Sequence, residues 1–246
     1  MTFLLLVVAG VGAGLTGTIA GLASLASYPA LLAVGLPPLA ANVTNSVALL
    51  ANTVGAVSGS RPELKGHWKR ALELAGVSLL GGALGGVLLL WTPSDAFEKI
   101  VPFLIGGASI AILIRRPGEV QALESRPAWP TLVSIFLIGI YGGYFGAAAG
   151  VLMLAVLLAI GTGTLARAGA YRNVVLGAAN GVAAIGFALF GPVVWSAALP
   201  LAIGCFVGAR IGPIVVRHAP SDALRVVIAL AGLGLAAWLA YDAFYL

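Results

Sequence analysis

The sequence contains very little charge. Of its 246 residues, 9% are Asp, Glu, Lys or Arg and 61% are hydrophobic, whereas soluble domains carry roughly 25% charged residues. This composition excludes a soluble enzyme. The net charge is +5, but a nucleic-acid-binding protein gathers its cations on a hydrated face, and the sequence has no such face. We therefore expect no nucleic acid partner, and the basic excess is typical of the loops that orient a membrane protein.

Cysteine and histidine are also scarce. Cys205 is the single cysteine and lies in an apolar run, which excludes an intramolecular disulfide and a multi-cysteine metal site. The two histidines, His67 and His218, lie in basic stretches, so we predict no metal site and no cofactor. The catalytic patterns HExxH and GxSxG are absent from the sequence. We therefore predict that the protein is not an enzyme and has no catalytic residue.

Long apolar runs dominate what is present. A helix of about 20 apolar residues crosses a hydrocarbon layer of ~30 Å, and runs long enough to cross or enter such a layer cover 3–34, 40–60, 71–92, 97–114, 131–160, 168–190, 193–216 and 222–244. The most polar stretch of the chain separates the fourth run from the fifth. We predict an all-α polytopic membrane protein with a first transmembrane repeat at 1–115, a polar cytoplasmic linker at 116–130 and a second transmembrane repeat at 131–246.

The two halves repeat one pattern. The tetrapeptide Pro-Ser-Asp-Ala occurs at 93–96 and again at 220–223. Other positions match at nearly the same offset, namely Asn45 with Asn173, Asn52 with Asn180, Gly17 with Gly146 and Gly21 with Gly150. Such self-similarity indicates a duplicated unit. Each unit contains one glycine-rich segment of about 30 residues followed by three ordinary segments. Because glycines interrupt helices, we expect the long segment to be broken in both halves.

The distribution of Lys and Arg predicts the topology. If all eight segments crossed the membrane once, the basic residues would divide seven against six. If segment 131–160 instead enters and returns on one face, 12 of the 13 lie on one side, as the positive-inside rule favours. Three crossings in each half invert the second repeat relative to the first. We therefore predict two inverted repeats, each with a broken or re-entrant glycine-rich segment plus three transmembrane helices. A topology in which segment 3–34 crosses the membrane completely fits the distribution of Lys and Arg equally well.

Polar side chains concentrate in the matching second and sixth segments, which hold all five asparagines of the chain. A spacing of seven residues places Asn45 and Asn52 on one helix face, and amides bind solutes without the cost of burying a charge. Interhelical hydrogen bonding is the structural alternative. We predict a substrate-binding site between the repeats, formed by Thr44, Asn45, Ser46, Asn52, Tyr171, Arg172, Asn173, Asn180 and Arg210.

The arginines favour an anion as the solute. A guanidinium pairs with oxyanions through its fork of donors, although Arg167 and Arg172 also suit the role of anchors at the membrane surface. The eight acidic residues all lie outside the middle of the apolar runs, so a buried proton relay and a cation site are not expected. We expect alternating access through rocking of one repeat against the other around a midplane site.

Several short motifs follow one another in a fixed order along the chain. They read Gly17 to Gly21, Pro29-Ala30-Leu31-Leu32, Gly35-Leu36-Pro37, Thr44-Asn45-Ser46 and, in the second half, Tyr141-Gly142-Gly143-Tyr144-Phe145-Gly146. In this order they resemble the TauE/SafE family of sulfite and sulfonate exporters. The resemblance implies a multi-pass permease of the bacterial inner membrane. Its solutes would be small sulfur-containing anions such as sulfite, sulfonates or sulfoacetate.

Other functions remain open beside this carrier. A passive anion channel of the same fold would use the same residues without saturation. A non-transporting membrane scaffold or enzyme subunit would use the asparagines for folding alone. The partners expected are a small anion and the lipid bilayer, and glycine-rich faces leave a homodimer open as well. The preferred anion, the direction of transport and the driving force stay undetermined at this point.

Overall fold

The computed structural model describes residues 2–114, 129–162, 164–216 and 221–245. These residues form eleven α-helices and contain no strand, which confirms the all-α prediction. In chain order the helices are α1 (Thr2–Ala20), α2 (Ala23–Ala33), α3 (Pro38–Gly59), α4 (Arg61–Leu64), α5 (Trp68–Trp91), α6 (Ser94–Ile114), α7 (Trp129–Tyr144), α8 (Ala149–Ala159), α9 (Leu165–Phe190), α10 (Trp195–Val216) and α11 (Ser221–Tyr245).

Each long glycine-rich segment is broken into two helices. The first break separates α1 from α2 at Gly21, which has a φ of +74°. The second separates α7 from α8 over residues 145–148, where Gly146 has a φ of +76°. The predicted interruption is thus present in both halves. The re-entrant path of these segments and the inverted orientation of the repeats stay predictions.

The short helices that follow the breaks end in the same way. Gly35, with a φ of +90°, follows α2, and the N–H of Leu36 donates to the carbonyl oxygen of Leu31 at 3.2 Å. Equivalent hydrogen bonds close α8 around Gly161, whose φ is +70°. These are Schellman caps, which glycine favours because it has no Cβ to clash. Each of the two helices has 11 residues, so it is about 16 Å long and too short to cross a bilayer.

The halves are joined by seams in which helix backbones touch. α1 packs along α10, and α7 packs along α5. A methyl group built on Gly14 of α1 would lie 2.5 Å from the backbone nitrogen of Ala209 in α10. A methyl group built on Gly139 of α7 would lie 2.6 Å from the carbonyl oxygen of Ser78 in α5. Small residues therefore provide the close packing that membrane helices need.

The remaining long helices complete the bundle. α3 packs on α10, α9 packs on α5, and α6 pairs with α11. α3 and α9 face each other in antiparallel directions: Ser60, at the end of α3, contacts Asn173 near the start of α9, whereas Val43, near the start of α3, lies beside Gly191, just after α9. The central space of the molecule therefore lies between matching helices of the two halves.

The outer surface of the bundle is apolar. Among the described residues, four helical stretches are long and apolar enough to cross a membrane, and they are Thr2–Ile19, Trp68–Trp91, Leu165–Phe190 and Trp195–Gly212. Exposed tryptophans stand at helix ends, with Trp68 and Trp91 bounding α5 and Trp129 and Trp195 opening α7 and α10. Tryptophan at such positions is typical of the membrane–water interface.

The division of the chain into repeats and linker stays a prediction. Most of the predicted linker at 116–130 lies outside the described residues, and so does His218. Trp129 and Pro130, at its end, already belong to α7.

Candidate functional site

A cavity of about 60 Å³ lies where the two helix breaks meet α3 and α9. A single water needs roughly 10–15 Å³ by the same measure, so several water-sized groups fit. Its lining residues are mostly small or polar, and they are Gly17, Gly21, Ala23, Ser24, Leu49, Asn52, Thr53, Ala56, Gly146, Gly150, Arg172, Asn173, Leu176, Gly177 and Asn180. The cavity is therefore shaped for a compact polar solute.

Backbone forms one wall of this cavity, because the two breaks cross there. A methyl group built on Gly21 would lie 2.8 Å from the carbonyl carbon of Gly150, and one built on Gly150 would lie 2.7 Å from the carbonyl oxygen of Gly21. No side chain fits between the two backbone segments at this point. Non-helical backbone at membrane depth is tolerated where protein or a water-filled cavity surrounds it, which is the situation here.

Arg172 projects from α9 into the cavity and is only 4% exposed. Its Nη2 donates hydrogen bonds to the carbonyl oxygens of Gly17 at 3.2 Å and Thr18 at 3.0 Å. These carbonyls belong to the last turn of α1, whose end favours a cation, and the Gly17 oxygen also accepts from the N–H of Gly21 at 2.9 Å. The Nη1 of Arg172 donates to none of the described residues. The guanidinium thus holds the end of α1 and keeps one nitrogen for a further acceptor.

The charge of Arg172 has no partner among the lining residues. They include this one cation and no Asp or Glu. A buried charge is costly unless an opposite charge or several hydrogen bonds compensate it. Part of that compensation comes from the α1 carbonyls and from the Oδ1 of Asn173, which accepts from Nη2 at 3.1 Å, and a bound anion would add an opposite charge. The electrostatics of the cavity therefore favour an anionic solute.

Three asparagines line the same cavity. Asn173 is held in place, since its Oδ1 accepts from Arg172 and its Nδ2 donates to the Ser60 hydroxyl at 3.2 Å. Asn52 and Asn180 are matching residues of the two halves, and the enclosed Oδ1 of each accepts no hydrogen bond. The Nδ2 of each donates to none of the described residues, so these two amide nitrogens are available to a solute.

Four of the nine residues predicted from the sequence therefore meet at the cavity, namely Asn52, Arg172, Asn173 and Asn180. Three others lie nearer the start of α3 and outside the lining. Thr44 accepts a hydrogen bond from the backbone N–H of Val194 at 3.0 Å, just before α10 begins. Asn45 accepts from the Ser27 hydroxyl of α2. Ser46 donates to the carbonyl oxygen one turn earlier, at 2.9 Å.

The last two predicted residues also lie outside the lining. Tyr171 is buried and donates to the carbonyl oxygen of His67 at 3.4 Å, between α4 and α5. Arg210 of α10 is exposed, and its Nη1 donates to the Ser58 hydroxyl at 2.8 Å. Both side chains make contacts between helices at the end of α3 that faces away from Thr44.

Sequence reasoning missed two hydroxyl side chains of the cavity, Ser24 and Thr53. The sequence could have indicated both, because Ser24 lies three residues after Gly21 in the segment predicted to be broken and Thr53 directly follows the predicted site residue Asn52. Thr53 also fixes the spacing of the two long helices, since a methyl group built on Gly177 would lie 2.5 Å from its Cγ2. Glycine at that position of α9 is what allows α3 and α9 to approach.

Beyond the cavity, toward the start of α3, four aromatic rings pack together. This aromatic cluster consists of Tyr28, Phe97, Tyr144 and Phe145. The centroid of the Phe145 ring lies 5.6 Å from that of Tyr28 and 6.1 Å from that of Phe97, and the Phe97 and Tyr144 rings are 6.0 Å apart. The amide nitrogen of Asn42 donates to the carbonyl oxygen of Tyr144 at 3.0 Å and joins α3 to the cluster. The protein is closed on this side of the cavity.

Comparison with known proteins gives consistent results. The family model described as "Sulfite exporter TauE/SafE" matches residues 6–239. The chain is 32% identical over 222 residues to the probable membrane transporter protein ORF9 of Sinorhizobium sp., covering 87% of this chain and 82% of that protein. It is 27% identical over 233 residues to the probable membrane transporter protein YfcA of Escherichia coli strain K12, covering 94% and 86%. A probable membrane transporter protein of Haemophilus influenzae is 29% identical, with 91% and 89% covered.

Proposed function

Because the chain belongs to the TauE/SafE sulfite exporter family and is a polytopic membrane transporter, we propose that it carries small sulfur-containing anions such as sulfite, sulfonates or sulfoacetate. The solute would bind in the cavity between α3 and α9. The observation that carries this proposal is the buried Arg172, which has no acidic partner among the lining residues. An oxyanion would neutralise the charge of the guanidinium and accept the hydrogen bonds that it can still donate.

The donors around the cavity suit such an anion. The Nη1 of Arg172 and the Nδ2 groups of Asn52 and Asn180 have no acceptor among the described residues. Charge-assisted hydrogen bonds are about twice as strong as neutral ones, so the guanidinium would supply most of the affinity and the amides the orientation. A cavity of about 60 Å³ fits a compact oxyanion, with limited room for a longer sulfonate chain.

Alternating access would move the solute across the membrane. In this mechanism a substrate site near the midplane opens to one side and then to the other. Two features support it: the glycine breaks that cross at the cavity, and the antiparallel course of α3 and α9, which an inverted duplication requires. The passive channel is the rival on this point, and a saturable solute flux would distinguish the carrier from it.

We place the protein in the bacterial inner membrane with its basic loops in the cytoplasm. Arg61, Lys65 and Lys69 are exposed directly after α3, and the positive-inside rule puts such residues on the cytoplasmic side. The cavity lies in the half of α3 that ends at this basic stretch. It would therefore face the cytoplasm in this conformation.

The test compares two charge-removing variants of one helix. Arg172→Gln removes the guanidinium from the cavity, whereas Arg167→Gln removes a charge from the first turn of α9, outside the cavity lining. Thermal unfolding in detergent would be followed with sulfite, sulfate, thiosulfate, taurine, sulfoacetate or acetate. A ligand at 100 times its Kd stabilises the folded state by about 2.7 kcal/mol, so the wild type and Arg167→Gln should gain a higher Tm with sulfur anions.

Arg172→Gln should unfold at the same temperature with and without the anion. Each variant is compared with itself in the absence of ligand, so a general loss of stability does not affect the conclusion. Equal stabilisation of both variants would refute the role of Arg172. No stabilisation of the wild type by any sulfur anion would refute the proposed substrate class and favour the non-transporting scaffold.

A further inference from the structure

We propose that Thr44, Asn45 and Ala48, which are closed off in this structure, line the solute pathway from the opposite side of the membrane in a second conformation. Asn52 and Asn180 would belong to the site in both conformations. The inference rests on the proposed transport function, because only a transporter needs two such states. It names the residues that face the second side, which the cavity by itself does not contain.

The first step is the correspondence between the two halves. An offset of 128 residues relates Asn45 to Asn173 and Asn52 to Asn180. With this offset the α9 residues of the cavity have counterparts in α3, and these are Thr44 for Arg172, Asn45 for Asn173 and Ala48 for Leu176. The α9 members line the cavity, while Thr44, Asn45 and Ala48 are at most 1% exposed. The cavity is thus lined by the α9 set, and the equivalent α3 set is buried outside it.

The second step concerns the centre of the cavity. Asn52 and Asn180 are each other's counterparts, and so are Leu49 and Gly177. All four line the cavity. Exchanging the conformations of the two halves would leave these four residues in place and replace Arg172, Asn173 and Leu176 by their α3 counterparts. The centre is therefore common to both states, and the two alternate sets extend from it in opposite directions along the antiparallel α3 and α9.

The third step is the polar character of the closed set. Thr44 and Asn45 are buried, yet each has a side chain that water would solvate well. Each is held by one hydrogen bond, from Val194 and from Ser27 respectively. Neighbouring Asn42 donates to Tyr144, but its enclosed Oδ1 accepts from none of the described residues. Hydrogen bonding between helices accounts for Thr44 and Asn45 in this state, but the buried Oδ1 of Asn42 without a donor costs stability. A water-filled pathway in the second state would solvate this oxygen together with Thr44 and Asn45.

The fourth step identifies what closes the second pathway. The aromatic cluster and the Asn42 contact with Tyr144 join α2, α6 and the end of α7 to the first turns of α3. Phe97 and Phe145 are at most 3% exposed. Opening the second pathway requires these rings to separate from α3.

Cysteine accessibility tests the proposal directly. Cys205 is buried and is replaced first; Cys205→Ser is the matched choice, because the offset of 127 residues between the two Pro-Ser-Asp-Ala motifs places Ser78 at the corresponding position of the first half. Single cysteines are then introduced by Thr53→Cys in the present cavity and by Ala48→Cys or Thr44→Cys in the closed set. Val54→Cys is the control, since Val54 is 60% exposed on the outer surface of α3. Inside-out and right-side-out membrane vesicles are treated with a charged, membrane-impermeant thiol reagent.

Thr53→Cys should react from the side that carries the basic loops, and Ala48→Cys and Thr44→Cys only from the other side. Because minor conformations are populated at roughly 0.1–10%, the closed-set cysteines should react about 10- to 1,000-fold more slowly than Thr53→Cys. The control cysteine should not react, because lipid covers it. Two closed-set variants are used so that a folding defect in one leaves the other informative.

Reaction of both closed-set cysteines from the same side as Thr53→Cys would overturn the proposal. Their failure to react from either side, with Thr53→Cys reactive, would overturn it as well. The readout is independent of the solute, so the two hypotheses fail separately. A sided labelling pattern without any sulfite flux would refute the proposed substrate and leave the second pathway standing.

Discussion

At the scale of single residues, the cavity combines side chains that hold the fold with side chains that are free to bind. Arg172 does both, because its Nη2 satisfies the end of α1 and its Nη1 has no acceptor among the described residues. Asn173 belongs to the first kind, since its two amide atoms are hydrogen bonded to Arg172 and Ser60. Asn52 and Asn180 belong to the second. The three asparagines should therefore respond differently to substitution.

We expect Asn173→Ala to lower the free energy of unfolding by about 1–3 kcal/mol, because it leaves the buried Nε of Arg172 without its acceptor. Asn52→Ala and Asn180→Ala remove amides that make no hydrogen bond to the described residues, so their effect should stay within about 0.5 kcal/mol. Both should still reduce solute uptake into proteoliposomes. Thermal unfolding without solute, measured beside uptake, separates the two effects. A destabilisation of Asn52→Ala as large as that of Asn173→Ala would contradict the assignment.

The sequence predicted part of this arrangement. Its seven-residue spacing places Asn45 and Asn52 on one face of α3, as expected. Seven residues also correspond to about 10 Å along a helix, and that distance separates a residue of the cavity from one buried beside Ser27. Which residues along this face of α3 reach the cavity depends on the segments that cover the helix, and here α2 and the aromatic cluster cover the end with Asn45. Periodicity carries no information about such packing.

At the scale of secondary structure elements, glycine has two roles that the sequence does not distinguish. Gly142 and Gly143 lie just before the second break, within the last turn of α7. Gly143 packs against the backbone of Gly82 in α5. The break itself follows at Gly146. Composition predicted that each long segment is interrupted, whereas the exact residue depends on whether a neighbouring backbone approaches the glycine or the chain turns there.

The crossing of the two breaks gives a sharp prediction at this scale. Gly21→Ala should destabilise the protein strongly, because φ is +74° and the added methyl group would meet the backbone of Gly150 at 2.8 Å. Backbone strain of this kind costs about 1–3 kcal/mol, and the overlap adds to it. Gly12→Ala in α1 is the matched control, since nothing lies within 4 Å of its added methyl group.

Thermal unfolding of both variants in detergent checks this. Gly12→Ala should keep the wild-type Tm or exceed it slightly, because alanine favours helix. If Gly21→Ala unfolded at the wild-type temperature, the crossing of the breaks as described would be wrong.

At the scale of the whole molecule, the sequence alone predicted the all-α membrane architecture and the family, and both are confirmed. Its residues could not indicate which helices pair. Glycines occur in α1, α5, α7 and α10, and any two such faces are compatible by composition. The observed pairs, α1 with α10 and α7 with α5, follow from the matching positions of small residues along each face, such as Gly14 against Ala209.

These pairs predict how the chain behaves when it is divided. Cutting within 116–130 gives two fragments, each with glycine faces whose partners lie on the other. We expect the tagged first fragment to recover the second from co-expressing cells after detergent extraction. Either fragment expressed alone should aggregate or be degraded, because its close-packed faces are uncovered. A stable, monodisperse single fragment on size-exclusion chromatography would show that the seams between halves are not needed for folding.

The seams also decide which parts of the molecule can behave as rigid bodies. α1, α3 and α10 pack together, as do α7, α9 and α5, so each body takes helices from both duplicated halves. The covalent chain therefore passes from one body to the other between α3 and α5 and again over residues 191–194, between α9 and α10. In the alternating-access mechanism that we propose, those two connections would be the hinges of the molecule. The motion would then exchange two mixed bodies, and neither repeat would rock as a unit against the other.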